Sequence, residues 1–291
     1  MAELMERSRG TADERALTRP LLSVGGMIVG LFDCPLDDPL WQMPNYIGSA
    51  SLVAFPGTPV VIARAGIGAF CVDRNQAVVY AADQEYRRAS LHPRGDVCSY
   101  VVLSAETLDS ALPRRDVRAL FRAGRCVVPG DAWMRYQVAL AQVRTGRLDP
   151  VGFEEQVLSV VGEVLDSAGS GGSGYVGSRV ERRVEGVRAW LSADLEFQVT
   201  VHDVAREFAV SPFHLVRQFK QMTGWTMHAY RTQLRLRAAA ELMLDGAGRS
   251  LADIAAMTGF ASHSHMTARF AQAFGGMTPS AVRSVARAQM A

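Results

Sequence analysis

Two stretches constrain this chain more than any other part of it: "TVHDVAREFAVSPFHLVRQFKQMTG" (200–224) and "SLADIAAMTGFASHSHMTARFAQAFGGMTP" (250–279). Each opens on a hydroxyl residue suited to capping a helix, runs through a short apolar pattern of helical period, breaks, and restarts at a second capping serine. Helices this short are not stable alone in water, so each pair needs a shared core to clamp it. In the first, Thr200 caps a helix bearing Val201, Val204, Ala205 and Phe208, and Ser211 caps the next, with Pro212 at its first position. Leu215 and Phe219, four apart, face inward, which turns Phe213, Val216, Arg217 and Lys220 outward. In the second, Ser250 caps a helix with Leu251, Ile254 and Ala255, Gly259 makes the turn, and Ser262 caps a helix whose Met266, Phe270 and Phe274 face inward. Residues 227–244 between them read as one helix, roughly 27 Å long at about 1.5 Å per residue. Such a spacer suits two outward-facing helices set about one DNA turn, roughly 34 Å, apart, each entering a major groove.

The rest of the chain supplies a second domain. At 291 residues it is long for one domain and comfortable for two, and 48% apolar content places it among globular proteins. Charge divides unevenly: residues 1–178 hold 17 Lys and Arg against 20 Asp and Glu, and residues 179–291 hold 14 against 9. A basic C-terminal part beside a mildly acidic N-terminal one suits a polyanion partner for the former. Residues 1–20 read as a flexible tail. "LLSVGGMIVGLF" (21–32) is too short to span a bilayer and follows an acid-bearing segment, so it is expected to be a buried strand rather than a leader or anchor; the protein is expected to be cytoplasmic, with no membrane partner. Short apolar or alternating runs punctuated by Gly, Pro, Asn and Asp continue to about Ser104, the pattern of an antiparallel barrel or sandwich. Helical period follows: one helix from about Ala132 to Arg144, and another with Asp149 as cap, Pro150 at its first position and the stripe Phe153, Val157, Val160, Val161, Val164. These two pack on the barrel or pair with their copies in a second subunit. "DSAGSGGSGYVGS" (166–178) is flexible-linker composition.

The motifs "SPFHLVRQFKQMTG" and "IAAMTGFASHSHMTARFAQAFGGMTP" make residues 180–288 resemble the DNA-binding domain of the AraC/XylS family of bacterial transcription regulators, through the patterns S-x-x-x-L-x-R-x-F-K and I-A-x-x-x-G-F. The resemblance implies a promoter-binding regulator, more often an activator, that works as a homodimer and engages RNA polymerase. It also implies base contacts from Phe213, Val216 and Arg217, and of these Arg217 has the reach to grip guanine bidentately. Ser211, His214 and Lys220 complete the expected first interface; Ser262, His263, Ser264, Thr267 and Arg269 form the second, Ser262 serving chiefly as a cap. The second unit departs from the pattern. Ala268-Arg269-Phe270-Ala271 displaces the arginine by one position and omits the lysine, and "FGGMTP" has an additional glycine. It is therefore expected to anchor weakly, or to serve as a brace, while the first unit specifies. By layout, the N-terminal half is similar to the cupin-like sensor domains of such regulators, which bind a small effector and dimerise through a helical pair.

The expected architecture is thus α+β with two domains: a cupin-like antiparallel β-barrel with its helical pair (21–167), a flexible linker (168–178) and an all-α tandem helix-turn-helix domain (179–291). Trp41, Arg64, Tyr80, Tyr86 and Arg88 are candidate effector contacts, with Arg87 and Asp96 beside them, although strand alternation lets each face water instead. A metal-dependent enzyme on this scaffold would need H-x-H with a later Glu and His; residues 1–178 contain one histidine, His92. No catalytic residue, metal or cofactor is expected. His263 and His265 diverge by about 200° on a helix and do not share an ion. Cys34, Cys71, Cys98 and Cys126 lie far apart without a CxxC pair, the pattern of buried packing thiols; a thiol- or metal-responsive regulator using Cys34, Cys71 and Cys98 is one alternative. Control by a partner protein docking on the helices of 132–167 is another.

Overall fold

The computed structural model describes residues 17–111, 121, 124–147, 149–167 and 177–287. Most of the expected tail, and residues 168–176 of the expected linker, lie outside them. The chain forms two compact units that are not contiguous in sequence: of the described residues, those up to Val127 with Val161–Ala189 make one, and Val128–Val160 with Trp190–Ala291 make the other.

Among the described residues the first unit holds ten strands: β1 (Thr18–Val24), β2 (Met27–Cys34), β3 (Asn45–Tyr46), β4 (Ser51–Pro56), β5 (Val60–Arg64), β6 (Gly68–Val72), β7 (Gln76–Tyr80), β8 (Glu85–Ser90), β9 (Asp96–Leu103) and β10 (Arg125–Val127). They make two antiparallel sheets, a six-stranded one in the order β1-β2-β9-β4-β7-β10 and a four-stranded one in the order β3-β8-β5-β6. The run expected as one buried strand at 21–32 is instead a hairpin. Gly25 and Gly26 both take positive φ, 53° and 76°, and a two-residue turn with that geometry reverses the chain in step with strand twist, so Val24 pairs with Met27. Alternation then decides what faces in. Val60, Ile62, Phe70, Val72, Val78 and Tyr80 are each at most 4% exposed and form one apolar cluster.

Helix α1 (Ala105–Ala111) lies between β9 and β10, and α2 (Gly130–Arg144), α3 (Pro150–Ser167) and α4 (Arg179–Ala193) follow β10. Asp149 caps α3 as expected, accepting hydrogen bonds from the Val151 and Gly152 amides at 3.0 and 2.9 Å, and the stripe from Phe153 to Val164 is fully buried. Within the first unit, α4 brings Glu185 and Arg188 into the protein interior. The Glu185 carboxylate accepts two hydrogen bonds of 2.5 Å from Arg125 on β10 and one of 2.9 Å from the Cys71 amide on β6. Burial alone would raise the Glu185 pKa, but the Arg125 hydrogen bonds and the charges of Arg125 and Arg188 outweigh it, so the acid is held below its ordinary range.

The second unit is helical: α5 (Val201–Glu207), α6 (Pro212–Thr223), α7 (Met227–Leu244), α8 (Leu251–Met257), α9 (His263–Ala273) and α10 (Pro279–Arg287). Helix α2 belongs here, packed against α7 and α10. Its Trp133 stacks on Phe274 with ring centroids 5.7 Å apart, and the fully buried Arg237 of α7 lies over the Trp133 ring and donates to the Val128 carbonyl at 2.5 Å. The inward face of α2 (Ala132, Trp133, Tyr136, Ala139, Leu140) is thus covered within this chain. That is neither of the packings expected for it, on the sheets or against a second subunit. Periodicity shows that a stripe is buried and not which surface buries it.

Candidate nucleic-acid interface and internal cavity

In the first helix pair, Thr200 forms a reciprocal cap with Asp203: the Asp203 amide donates to Thr200 Oγ1 at 3.2 Å and the Thr200 amide to the Asp203 carboxylate at 3.0 Å. The chain then turns through Ala209, held at φ 46°, with the Val210 amide donating back to the Ala205 carbonyl at 3.0 Å. Ser211 accepts from the His214 amide and starts α6; Gly224, at φ 75°, ends it with its amide on the Lys220 carbonyl at 2.9 Å. Leu215 and Phe219 are fully buried, and Phe219 meets the Tyr230 ring of α7 edge-on at 5.5 Å. With that face locked, the outer face is fixed. Phe213 is 74% exposed and Val216 40%, and they share a shallow surface with Pro212, Arg217, Lys220 and Gln221. Among the described residues the Phe213 ring meets only the neighbouring His214 ring, tilted at 6.1 Å, and otherwise offers an apolar surface to solvent near two cations.

The second pair repeats the scaffold. Ser250 caps α8 through the Asp253 amide, Gly259 at φ 75° takes the place of Ala209, and the Phe260 amide donates to the Ala255 carbonyl at 2.8 Å. Only glycine fits at 259, since a β-carbon there would lie 2.2 Å from the Leu195 carbonyl oxygen. Ser262 accepts from the His265 amide at 3.1 Å and starts α9, with Met266 and Phe270 fully buried. His263, Ser264, Thr267 and Arg269 are exposed, as is His265, whose ring meets Phe260 edge-on at 5.6 Å. One difference was not drawn from the sequence. The second turn has an additional residue, Ala261, between the positive-φ position and the cap.

Arginines that add to the C-terminal charge are partly spent inside. Arg231 donates to the Asp194 carbonyl at 2.8 Å and also to that of Phe197, and Arg235 donates to the Leu195 carbonyl at 2.9 Å; burial lowers the Arg231 pKa to about 10. Together with Arg237 they fasten the 194–198 segment and α2. The basic face is narrower than the count of cations suggests.

The sheets of the first unit line a partly open cavity of about 240 Å³, whose walls include Phe32, Leu52, Ile62, Val78 and Tyr100 as well as Tyr80, Tyr86, Arg88, Asp96 and Cys98. Of the five expected effector contacts, Tyr80, Tyr86 and Arg88 lie on this wall. Trp41 and Arg64 do not. Trp41 donates its indole N–H to the Pro35 carbonyl at 2.7 Å, and Arg64 donates to the Val79 carbonyl and to Gln84 at 2.8 and 2.9 Å. Asp96 and Cys98, outside that set of five, also line the wall. Arg88 and Asp96 form a buried ion pair at 3.0 Å, and Arg88 also donates to Cys34 Sγ at 3.3 Å, its guanidinium lying over the Phe32 and Trp41 rings. Burial pushes all four thiols up, Cys34 to about 11 and Cys126 to about 12, so they stay protonated. No group of three or more His, Cys, Asp or Glu side chains among the described residues is arranged to hold a metal.

A helix-turn-helix domain family model matches residues 204–284, from α5 into α10. The HTH-type transcriptional activator RhaS of Klebsiella pneumoniae (strain 342) is 33% identical over 94 residues, covering 32% of this chain and 34% of that protein. Its counterpart in Escherichia coli (strain K12 / DH10B) is 36% identical over 86 residues, 30% and 31%. Residues 204–284 are thus a helix-turn-helix domain of the AraC/XylS type. The match spans about a third of the length of these curated relatives. Among solved structures, the C-terminal domain of AraT, a response regulator from Geobacillus stearothermophilus, is 28% identical over 37% of this chain and 88% of its own, with a TM-score of 0.34. ToxT from Vibrio cholerae O395 is 12% identical over 90% and 98%, with a TM-score of 0.36. The arginine of the S-x-x-x-L-x-R-x-F-K pattern is present in α6 as Arg217, and Ala268 stands at the equivalent place in α9. No helix among the described residues is long and apolar enough to cross a membrane.

Proposed function

We propose that this protein is a sequence-specific DNA-binding transcription regulator, an activator like its RhaS relatives, whose N-terminal unit takes a small-molecule effector. The observation that carries the reading is α6: a capped helix with Leu215 and Phe219 locked inward and Phe213, Val216, Arg217 and Lys220 held out together. A helix presented this way fits a major groove, where Arg217 meets guanine, Phe213 and Val216 meet thymine methyls, and Lys220 meets phosphate. Helix α9, with His263, Ser264, Thr267 and Arg269, anchors in a neighbouring groove. Residues 21–167 serve as the sensing part and 179–291 as the reader, in a cytoplasmic homodimer that touches RNA polymerase at the promoter. For an effector to act it must bind two arrangements of the protein with different affinity. Catalysis has no part in this reading. Burial of the thiols weighs against a cysteine sensor.

The test is selection of randomised DNA by the full-length protein at fixed salt, with sequencing of what is retained. A two-part motif spaced by about one helical turn supports reading by both units. A single short motif makes α9 a brace, and absence of any enrichment, with and without small molecules, overturns the proposal.

A further inference from the structure

The register of the six-stranded sheet lays out one wall of the cavity. Ile28, Phe32, Leu52, Ala54, Val78 and Tyr100 face it together, and Gly30, Tyr100, Ala54 and Val78 stand in one cross-strand row. The glycine makes room for the tyrosine. A β-carbon at 30 would lie 2.4 Å from the Tyr100 hydroxyl, so the ring lies across Gly30 and its Oη is set over β2. The cavity volume, about 240 Å³, exceeds the roughly 150 Å³ that suffices in an apolar protein interior to hold benzene.

Three oxygens on the cavity wall are unanswered. Tyr80 and Tyr100 are 4% and 9% exposed, and neither hydroxyl has a hydrogen-bond partner among the described residues. Asp96, 6% exposed, accepts from Arg88 on Oδ2 at 3.0 Å and has no donor on Oδ1 among those residues. None of the three is among the polar atoms sealed from water without a partner, so the small surface each keeps faces the cavity it lines. Burial raises both phenol pKa values, that of Tyr100 to about 12, so each phenol stays protonated and can donate as well as accept. Asp96 and Cys98 lie within electrostatic reach of the Tyr80 hydroxyl, and Cys98 within reach of that of Tyr100, so the three oxygens gather about one thiol. A ligand anion finds no open cation here, because both terminal nitrogens of Arg88 are engaged, by Asp96 and by Cys34, and its Nε is sealed off. A ligand ammonium would compete with Arg88 for its carboxylate partner. A neutral hydroxyl suits all three oxygens. Resting on the effector reading above, we propose that the cavity binds a compact, uncharged ring bearing hydroxyl groups on its edge, one donating to Asp96 Oδ1 and the others exchanging hydrogen bonds with Tyr80 and Tyr100. An aromatic phenol and a saturated ring alcohol share this chemistry.

Resorcinol and the cyclohexanediol made by saturating its ring represent the two sources. Three controls accompany them: m-xylene has the shape of resorcinol without hydroxyls, the dimethyl ether of resorcinol keeps the oxygens without a donor, and benzoate supplies an anion. Each is titrated into the full-length protein near neutral pH and followed by ligand-detected NMR and calorimetry. At least one diol is expected to bind, resorcinol alone marking an aromatic ligand and the cyclohexanediol alone a saturated one. Tyr80→Phe and Tyr100→Phe each remove a hydroxyl and keep the ring; each is expected to weaken the diol about twofold to tenfold, the ratio corresponding to one neutral hydrogen bond, and to leave m-xylene unaffected. The dimethyl ether and benzoate are expected to bind more weakly than the diol. Ile62→Trp, or Val102→Phe should the first not fold, fills the chamber and is expected to abolish binding. The proposal is overturned if neither diol binds, if either tyrosine variant leaves the diol unchanged or weakens m-xylene equally, or if the ether or benzoate matches the diol. Diol binding that the filled chamber leaves intact also overturns it, since the molecule then sits elsewhere. The expected pattern, with no change in DNA affinity at saturating diol, supports the ligand class and overturns the effector reading instead.

Discussion

The two helix-turn-helix units are built on one plan and show two different faces. Counted from their caps, Ser211 and Ser262, the inward residues coincide: Leu215 and Phe219 match Met266 and Phe270, all fully buried. The outward residues do not. Phe213 matches Ser264, Val216 matches Thr267, Arg217 matches Ala268 and Lys220 matches Ala271, while Arg269 corresponds to Gln218. One step along a helix is about 100° around it, so the second arginine points away from the direction of the first. The difference teaches that a repeated core sets where a helix sits, and the residues it does not use for packing are free to diverge. The first helix-turn-helix presents apolar and cationic side chains of the kind suited to base edges; the second presents short polar ones that suit backbone contact.

If the scaffolds are equivalent, breaking either should cost alike. Phe219→Ala and Phe270→Ala each remove a fully buried ring and are expected to lower stability by about 3–5 kcal/mol, measured by urea unfolding. A difference of more than about 2 kcal/mol between them, wider than the roughly 3–5 kcal/mol spread of such truncations, would show that one unit is a lesser part of the core. Gly259→Ala is the next largest effect and falls on the second unit alone. Positive φ and the Leu195 carbonyl 2.2 Å from the added carbon together make a loss of roughly 1–3 kcal/mol the expected result. An unchanged midpoint would mean that the 194–198 segment yields easily, despite the arginines that fasten it.

The outward faces should separate where the cores do not. Arg217→Ala is expected to weaken specific DNA binding by about 1–3 kcal/mol and to relax preference at one base pair, whereas Arg269→Ala should cost less than about 1 kcal/mol and shift every sequence alike. Lys220→Ala should also act evenly over sequences and reduce the salt slope by about one. Mobility-shift titrations at several salt concentrations check all three. Equal losses for Arg217→Ala and Arg269→Ala on every sequence would dissolve the proposed division of labour.

Much of this was legible in the sequence because caps, helical period and turn residues are local signals. Thr200, Ser211, Ser250 and Ser262 are all caps, and the helix read at 227–244 has those bounds. What was illegible depends on contacts far apart in the chain. The stripe on α2 announces burial, but nothing in residues 130–144 says that Trp133 will stack on Phe274. The candidate effector contacts show the same limit. Alternation allowed Arg64 and Arg88 equally, and only the packed sheets put Arg88 on the cavity wall while Arg64 donates to the Val79 carbonyl. Glu185 escaped notice because a Glu among arginines on a helix ordinarily reads as a solvated face; its burial follows from Arg125, sixty residues earlier.

The smallest expected effect comes from the two turns. Ala209 holds φ 46°, a left-handed conformation that costs an alanine about 1–2 kcal/mol and a glycine almost nothing. Ala209→Gly relieves that strain but gives the unfolded chain more freedom, which costs roughly 0.5–1 kcal/mol. The two terms nearly offset, and because Ala209 is exposed its methyl contributes little packing. A gain of no more than about 1 kcal/mol is therefore expected in urea unfolding, with operator preference unchanged. A clear loss would show that the methyl group helps hold α5 against α6. The first turn would then depend on its side chain, as the second depends on lacking one.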